Sequence, residues 1–357
     1  MKKISFMLCA AALMLASTFT SCSKEDNSVY PDNIVIRNGY SLDSIYAQAL
    51  EKATGDEITI QLPAGVEVFM KGDIEIEEGY KLNIIGDAAN PAKVNMKGGF
   101  ITSNSIVIKN VQFNINKDVK VPFIKMNTLP EEGLNDKNAF EIDGITLDGI
   151  EVLGLKNQLI WTNRQAYFVK AVTINNSNIA IMKYGGEKDK QKNIIDFNGG
   201  GFFENLNITN SVIYYADKVK ATWQKGNFIS TQSAKKPSEI SSQEGLTMTV
   251  TLTGNTFYKI VEGQTSCNYR ENNKDYQFFV VKDNKVVNCD KNGQFIVGIG
   301  TGRIDSKLAE TNWQVSGNIV NWDGEDICEA ENKKCGIEGA CIAGKVDVTP
   351  FEEPAAE

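Results

Sequence analysis

A chain of 357 residues, 42% apolar and 23% charged, has the balance of a folded protein with room for one large or two medium domains. Its formal net charge of −8 and pI near 5.0 leave no basic face for nucleic acid, so no nucleic-acid partner is expected. Histidine is absent, which excludes Ser-His-Asp and Cys-His catalysis, His-ligated zinc and any His general base, and leaves chemistry to carboxylates, Lys, Arg, Tyr or a bound cation.

Met1-Lys2-Lys3 followed by the apolar run Ile4 to Ala16 has the layout of a secretory signal peptide, too short for a structural membrane span. Small residues then lead to Cys22 in a segment that resembles a bacterial lipobox, with Phe19 where Leu is more usual. The expectation is a leader over 1–21, lipidation at Cys22, and a tether over 22–37. Ser23-Lys24-Glu25-Asp26-Asn27 is similar to the surface-export signal of Bacteroidetes lipoproteins, which implies an outer-membrane, lipid-anchored, cell-surface protein; a plain solvated tether is the alternative. Loss of Lys2 and Lys3 with the leader takes the net charge from −8 to −10.

Ser41 can N-cap a helix in which Leu42, Ile45, Tyr46, Ala49, Leu50 and Ala53 share one face, with Gly55 as the stop. Beyond Ile58 the chain turns to short β-branched runs that repeat. Segments starting at Ile106, Ile145, Val172, Leu206, Val250, Phe279 and Trp313 share one template: a short strand, a tight bend and a second strand. At the bend stand Asn110, Gly149, Asn176, Asn210, Gly254, Asp283 and Gly317, residue types that tolerate a left-handed backbone. Asn255, Asn284 and Asn318 follow at one shared position, where stacked amides can bond from coil to coil. Copies begin 27 to 44 residues apart, as expected of coils that carry loops of variable length.

A third strand per coil is expected just upstream of each copy, at Phe100-Ile101-Thr102, Phe123-Ile124-Lys125, Ala139-Phe140-Glu141, Leu159-Ile160-Trp161, Ile194-Ile195-Asp196, Phe228-Ile229-Ser230 and Phe295-Ile296-Val297, with one further coil near Ile260. If the middle residue points inward, alternation sends Thr102, Lys125, Glu141, Trp161, Asp196, Ser230 and Val297 outward as one column. A one-residue slip would bury Trp161 instead.

Three short strands per coil, stacked in parallel, predict an all-β, right-handed parallel β-helix over 38–323 with one N-terminal capping helix, ahead of a Cys-containing tail over 324–357; a hairpin β-sandwich is the structural alternative. The helix Ser41 to Ala53, the rung Ile58-Thr-Ile-Gln-Leu-Pro-Ala-Gly65 and Leu82-Asn-Ile-Ile-Gly86 resemble the opening of the pectin-lyase-like superfamily, in particular the β-helical surface lipoproteins of Bacteroidetes glycan utilisation. That resemblance implies polysaccharide or oligosaccharide as the partner. The superfamily's polygalacturonases use a Gly-His-Gly motif, which a chain without His cannot supply. Its lyases take a proton with Arg or Lys while Ca²⁺ neutralises a uronate. Of the four arginines, Arg164, Arg270 and Arg303 lie by loops where a lyase cleft would be, but only Glu141 and Asp196 are acidic in the outward column.

No complete catalytic set is visible. The favoured function is a non-catalytic cell-surface lipoprotein that binds or scaffolds polysaccharide, with no cofactor; a Ca²⁺-assisted polysaccharide lyase and an adhesin or spacer are the alternatives. Candidate ligand residues are Trp161, Asp196 and Ser230 on the column, with Asn163, Arg164, Tyr167, Trp223, Tyr269, Arg270 and Arg303 in loops walling it. Cys267, Cys289, Cys328, Cys335 and Cys341 remain after the leader and anchor; the last three lack CxxC spacing and favour a disulfide in the tail over a metal site, with the pairing open.

Overall fold

The computed structural model describes residues 34–182, 192–216, 227–231, 234–260, 267–269, 275–289, 298–299, 302–303, 312–327 and 339–352. Strands are assigned in strict rotation to three sheets whose pairing is parallel throughout the coils. The first sheet runs from Glu57–Gln61 to Trp313–Ser316, the second from Glu67–Met70 to Ile319–Trp322, and the third from Ile74–Glu75 to Gly298–Ile299. This is a parallel β-helix, the fold class expected from the repeats. Among the described residues it has nine coils, numbered here from the N-terminus. Coil 4 comprises Phe140–Asp148, Glu151–Leu155 and Ile160–Trp161; coil 5, Tyr167–Asn175, Asn178–Ile181 and Ile195–Asp196; coil 6, Phe202–Thr209, Val212–Tyr215 and Ile229–Thr231. Two antiparallel additions, Glu325–Asp326 and Gly302–Arg303, end the second and third sheets.

The corner between the first and second sheets is where sequence and conformation agree most closely. Asn110, Gly149, Asn176, Asn210, Gly254, Asp283 and Gly317 all have positive φ, between 47° and 69°. One residue later, Asn255, Asn284 and Asn318 are buried and stacked. Asn255 Nδ2 donates to Asn284 Oδ1 at 3.0 Å and Asn284 Nδ2 to Asn318 Oδ1 at 2.9 Å. The same oxygens accept the backbone N–H of Asn255 and Asn284. Ser211 and Ser177 continue the ladder downward, Ser211 N–H donating to Asn255 Oδ1 and Ser177 N–H to Ser211 Oγ. An interior corner thereby satisfies backbone groups that no strand partner reaches.

The core is a set of straight stacks. Ile124, Ile160, Ile195 and Ile229 pair in register and are fully buried, as the inward row predicts. Phe100, Phe113 and Phe123 pack edge to face with centroids 5.0 to 6.1 Å apart. Helix α1 (Leu42–Glu51) closes the bottom with Leu42, Ile45, Tyr46 and Ala49 buried, and the Tyr46 hydroxyl accepts Glu77 N–H at 2.7 Å. Ser41 occupies the N-cap position, but its hydroxyl donates to Asp43 rather than accepting from the helix, and the helix stops at Glu51, short of Gly55. Among the described residues two further one-turn helices follow, α2 (Pro237–Ile240) and α3 (Thr349–Glu352). Among the described residues no helix is long and apolar enough to cross a membrane.

Residues 339–352 return along the second sheet. Ile342 N–H donates to Asn318 O, Asn321 Nδ2 to Gly344 O, and Phe351 stacks on Tyr258 at 5.0 Å and tilts against Tyr214 at 5.4 Å. Tyr214 and Tyr258 are outward residues in register on adjacent coils, so this segment covers the outer face there. Cys341 is buried in it; Cys328 and Cys335 lie outside the described residues.

Three third-sheet assignments are corrected. Phe100 pairs with Ile124 and Ile101 with Lys125, so coil 2 is slipped by one: Ile101 faces outward, while Thr102 is buried with its hydroxyl on the turn at Asn104. Ala139-Phe140-Glu141 does not belong to this sheet, because Phe140 starts the nine-residue first-sheet strand of coil 4, and Ile124 stacks directly on Ile160. Glu141 consequently leaves the column and pairs with Lys170 at 2.9 Å. The coil expected near Ile260 is supplied by Cys267–Tyr269, where Cys267 pairs with Ile229. Phe295-Ile296-Val297 lies outside the described residues, and Gly298–Ile299 takes that rung.

Candidate functional site

With those corrections the outward column of the third sheet reads Glu75, Ile101, Lys125, Trp161, Asp196 and Ser230, each in register with the next, and the Ser230 backbone pairs on with Asn268. Coils stack about 4.8 Å apart, so Lys125 to Ser230 covers about 14 Å. Trp161 lies at its centre, half-buried, with the Lys125 ammonium 5.8 Å from its ring centroid. A cation at that distance over an indole face is held by the ring quadrupole.

Asp196 and Ser230 have the outward register of Trp161 but not its exposure, retaining only 8% and 1% of their accessible surface. Burial opposes ionisation and pushes the Asp196 carboxyl upward; hydrogen bonds from Asn193, the Asn198 backbone and Gln158, and the nearby Arg164 charge, pull the other way. Oδ2 accepts Asn193 Nδ2 at 3.0 Å and Oδ1 accepts Asn198 N–H at 3.0 Å. Gln158, Asn193 and Asn227 stand at one register position two residues before the inward isoleucines. They form a second amide column, in which Asn193 Oδ1 accepts Asn227 N–H at 3.0 Å. Sequence reading missed this column, although the spacing back from Ile160, Ile195 and Ile229 carries the signal.

Arg164 is exposed in the turn joining coils 4 and 5, where Asn163 and Arg164 have φ of 55° and 61°. Asn accepts that conformation readily and Arg does so at a cost. The turn of the next coil makes room for it: a Cβ on Gly200 would lie 2.7 Å from Arg164 O, and one on Gly199 3.0 Å from Arg164 Cγ. Gly199-Gly200-Gly201 is thus a corner on which the Arg164 turn rests.

Tyr167 is corrected from a loop residue to a core one. It begins a first-sheet strand, is fully buried against Phe140, donates its hydroxyl to Thr128 O at 3.3 Å, and burial pushes its pKa to about 12. Tyr269 ends the strand Cys267–Tyr269 and Arg303 lies in the terminal antiparallel pair, so neither backbone is in a loop. Trp223, Arg270 and Cys22 lie outside the described residues. Trp161, Lys125, Asp196 and Arg164 are therefore the groups brought together.

Calcium requires six to eight oxygen ligands. Both Asp196 oxygens are already engaged, and among the described residues no three His, Cys, Asp or Glu converge on one point, so the residues present do not fit that ion.

Fold and strip together define a parallel β-helix with an aromatic residue half-exposed on one flat sheet. Residues 67–216 match a family described as a domain of unknown function (DUF4957), which covers less than half of the chain. No curated protein matches. Among solved structures, a PL6 family alginate lyase, AlyGC, is similar at 11% identity and a TM-score of 0.20, over 79% of this chain and 43% of the lyase. This chain thus spans less than half of the lyase's length, and an overlap at that score says nothing about activity.

Proposed function

We propose that this protein is a non-catalytic, cell-surface lipoprotein, anchored through Cys22, that binds polysaccharide across the outer face of the third sheet. The observation that carries the binding site is the half-exposed Trp161 ring on the third sheet, with the Lys125 ammonium over it and Arg164 exposed in the turn that follows the same strand. A pyranose presents a C–H face that stacks on an indole, and flexible cationic donors beside the ring reach its hydroxyls or an acidic substituent. Asp196 contributes by fixing the corner rather than by touching ligand, since its oxygens are spent on Asn193 and Asn198. Calorimetric titration of a glycan panel tests this. Trp161→Ala is expected to weaken binding by about tenfold or more, the loss typical of an anchoring aromatic, and Arg164→Ala by less. Loss in neither variant, with the fold intact, places the ligand elsewhere.

Arg164 favours a second reading, lyase activity, because a non-glycine residue is held at φ 61° beside a carboxylate. A lyase leaves a conjugated double bond that absorbs in the ultraviolet. Growth of that absorbance on an acidic glycan, abolished by Arg164→Ala, would establish catalysis in place of simple binding.

A further inference from the structure

The connections from the third sheet to the first at 127–139, between coils 3 and 4, and at 232–247, between coils 6 and 7, are long. The two between them, 162–166 and 197–201, are short turns. The long loops meet across these turns although their roots are three coils, about 14 Å, apart. Asn135 Nδ2 donates to Ile240 O at 2.8 Å, and Ser242 Oγ donates to the Asp136 carboxylate. Asn135 Oδ1 also accepts the backbone N–H of Lys137 and Ala139, so this side chain ties both loops. In the second loop Ile240 and Leu246 are buried anchors, and Lys236 N–H donates to Glu239 Oε2 at 2.8 Å. A segment bound at this many points keeps its shape without a ligand, which lowers the ordering cost of binding beside it.

Next to it opens a hollow of about 710 Å³, bounded by Lys137, residues 236–238 and 241–247, and Asp275-Tyr276. That volume is within the range of small-ligand pockets. Its lining combines the half-buried Tyr276 ring and Leu246 with the side chains of Ser241, Gln243 and Thr247. Lys137 and Lys236 stand on its rim with Glu244 and Asp275, and Asp136 and Glu239 lie beside those lysines, so the surroundings carry no excess of positive charge.

We propose that this hollow is a second carbohydrate site, selective for a neutral sugar unit and separate from the strip at Trp161. A phenol ring offers a stacking face, hydroxyls and a planar amide both donate and accept, and a rim without excess positive charge does not select an anion. The proposal shares the carbohydrate class of the proposed function but none of its residues.

The test is calorimetry with neutral hexasaccharides of glucan, mannan and xylan on the full chain and on Gln243→Ala, Tyr276→Ala and Trp161→Ala, each checked by thermal melting. At least one hexasaccharide is expected to bind, with affinity reduced about tenfold by Tyr276→Ala, severalfold by Gln243→Ala and at most about twofold by Trp161→Ala. If Tyr276→Ala lowers the melting temperature, Gln243→Ala decides, because its side chain is exposed. Absence of binding by all three probes overturns the proposal. Binding that survives Gln243→Ala but falls with Trp161→Ala also overturns it while upholding the strip; the reverse pattern upholds the hollow and leaves the strip to its own titration with the glycan panel.

Discussion

On the third sheet, Trp161, Asp196 and Ser230 have the same parity and consecutive coils, yet only Trp161 keeps an accessible ring. Alternation along a strand was legible from residue types, and it placed Ile160, Ile195 and Ile229 inward and their successors outward. What alternation leaves unknown is the covering of an outward residue. That depended on Gln158 and Asn193 standing at the corner beside Asp196, a match fixed by coil lengths. Two predictions follow from these residues. Because burial raises the Asp196 pKa above its unfolded value, its contribution to stability is greatest below the ordinary carboxylate range and is lost as pH rises through the folded value. Urea unfolding as a function of pH should therefore show Asp196→Asn gaining on the wild type from acid to neutral pH; a difference independent of pH would contradict this assignment. Ile195→Asp places a carboxylate with no partner in the isoleucine stack and forfeits apolar burial, which should cost on the order of 4 kcal/mol in the same measurement.

Corners, more than strands, made the elements readable. A left-handed bend favours Asn, Gly or Asp, and the template found the seven such corners of coils 3 to 9, along with the amides stacked behind the last three. Third-sheet strands are two or three residues long and flanked by loops of any length, so nothing local distinguishes Phe100 from Ile101 as the inward residue, or Ala139-Phe140-Glu141 from a strand of another sheet. The ladder's energetic role can be measured. Asn284→Ala would leave buried groups of Asn255 and Leu252 without their partner and should destabilise by about 2–4 kcal/mol, whereas the exposed Thr→Ala change at Thr128, an outward loop position away from the ladder, serves only as a control for expression. The returning C-terminal segment is a second testable element. Phe351→Ala removes its ring contact with Tyr214 and Tyr258, and limited proteolysis should then cut the segment sooner while circular dichroism keeps its β signature.

At the scale of the molecule, the nine stacked coils among the described residues form a solenoid whose length is set by repetition and whose specificity is left to side chains and loops on its faces. The fold was therefore legible as a period, and the candidate site only in part: Trp161 and Arg164 could be selected by residue type and position, but Lys125 became a neighbour of the ring only once the intervening segment Ala139 to Glu141 moved to another sheet. A net charge of −8 over the whole chain coexists with one cation held against the Trp161 ring, that of Lys125, so the charge at the strip is set by its own residues and not by the mean. Cell-surface anchoring makes a separate prediction: protease added to intact cells should remove the protein, and Cys22→Ala should release it from membranes; protection in intact cells would contradict surface display. The most direct test of glycan binding is affinity electrophoresis through gels containing a panel of polysaccharides, comparing the wild type with Trp161→Ala. The expected result is retardation of the wild type by at least one polysaccharide, its loss in Trp161→Ala, and an unshortened polymer; migration unaffected by every polysaccharide, or equal retardation of both proteins, would contradict a sugar site at Trp161.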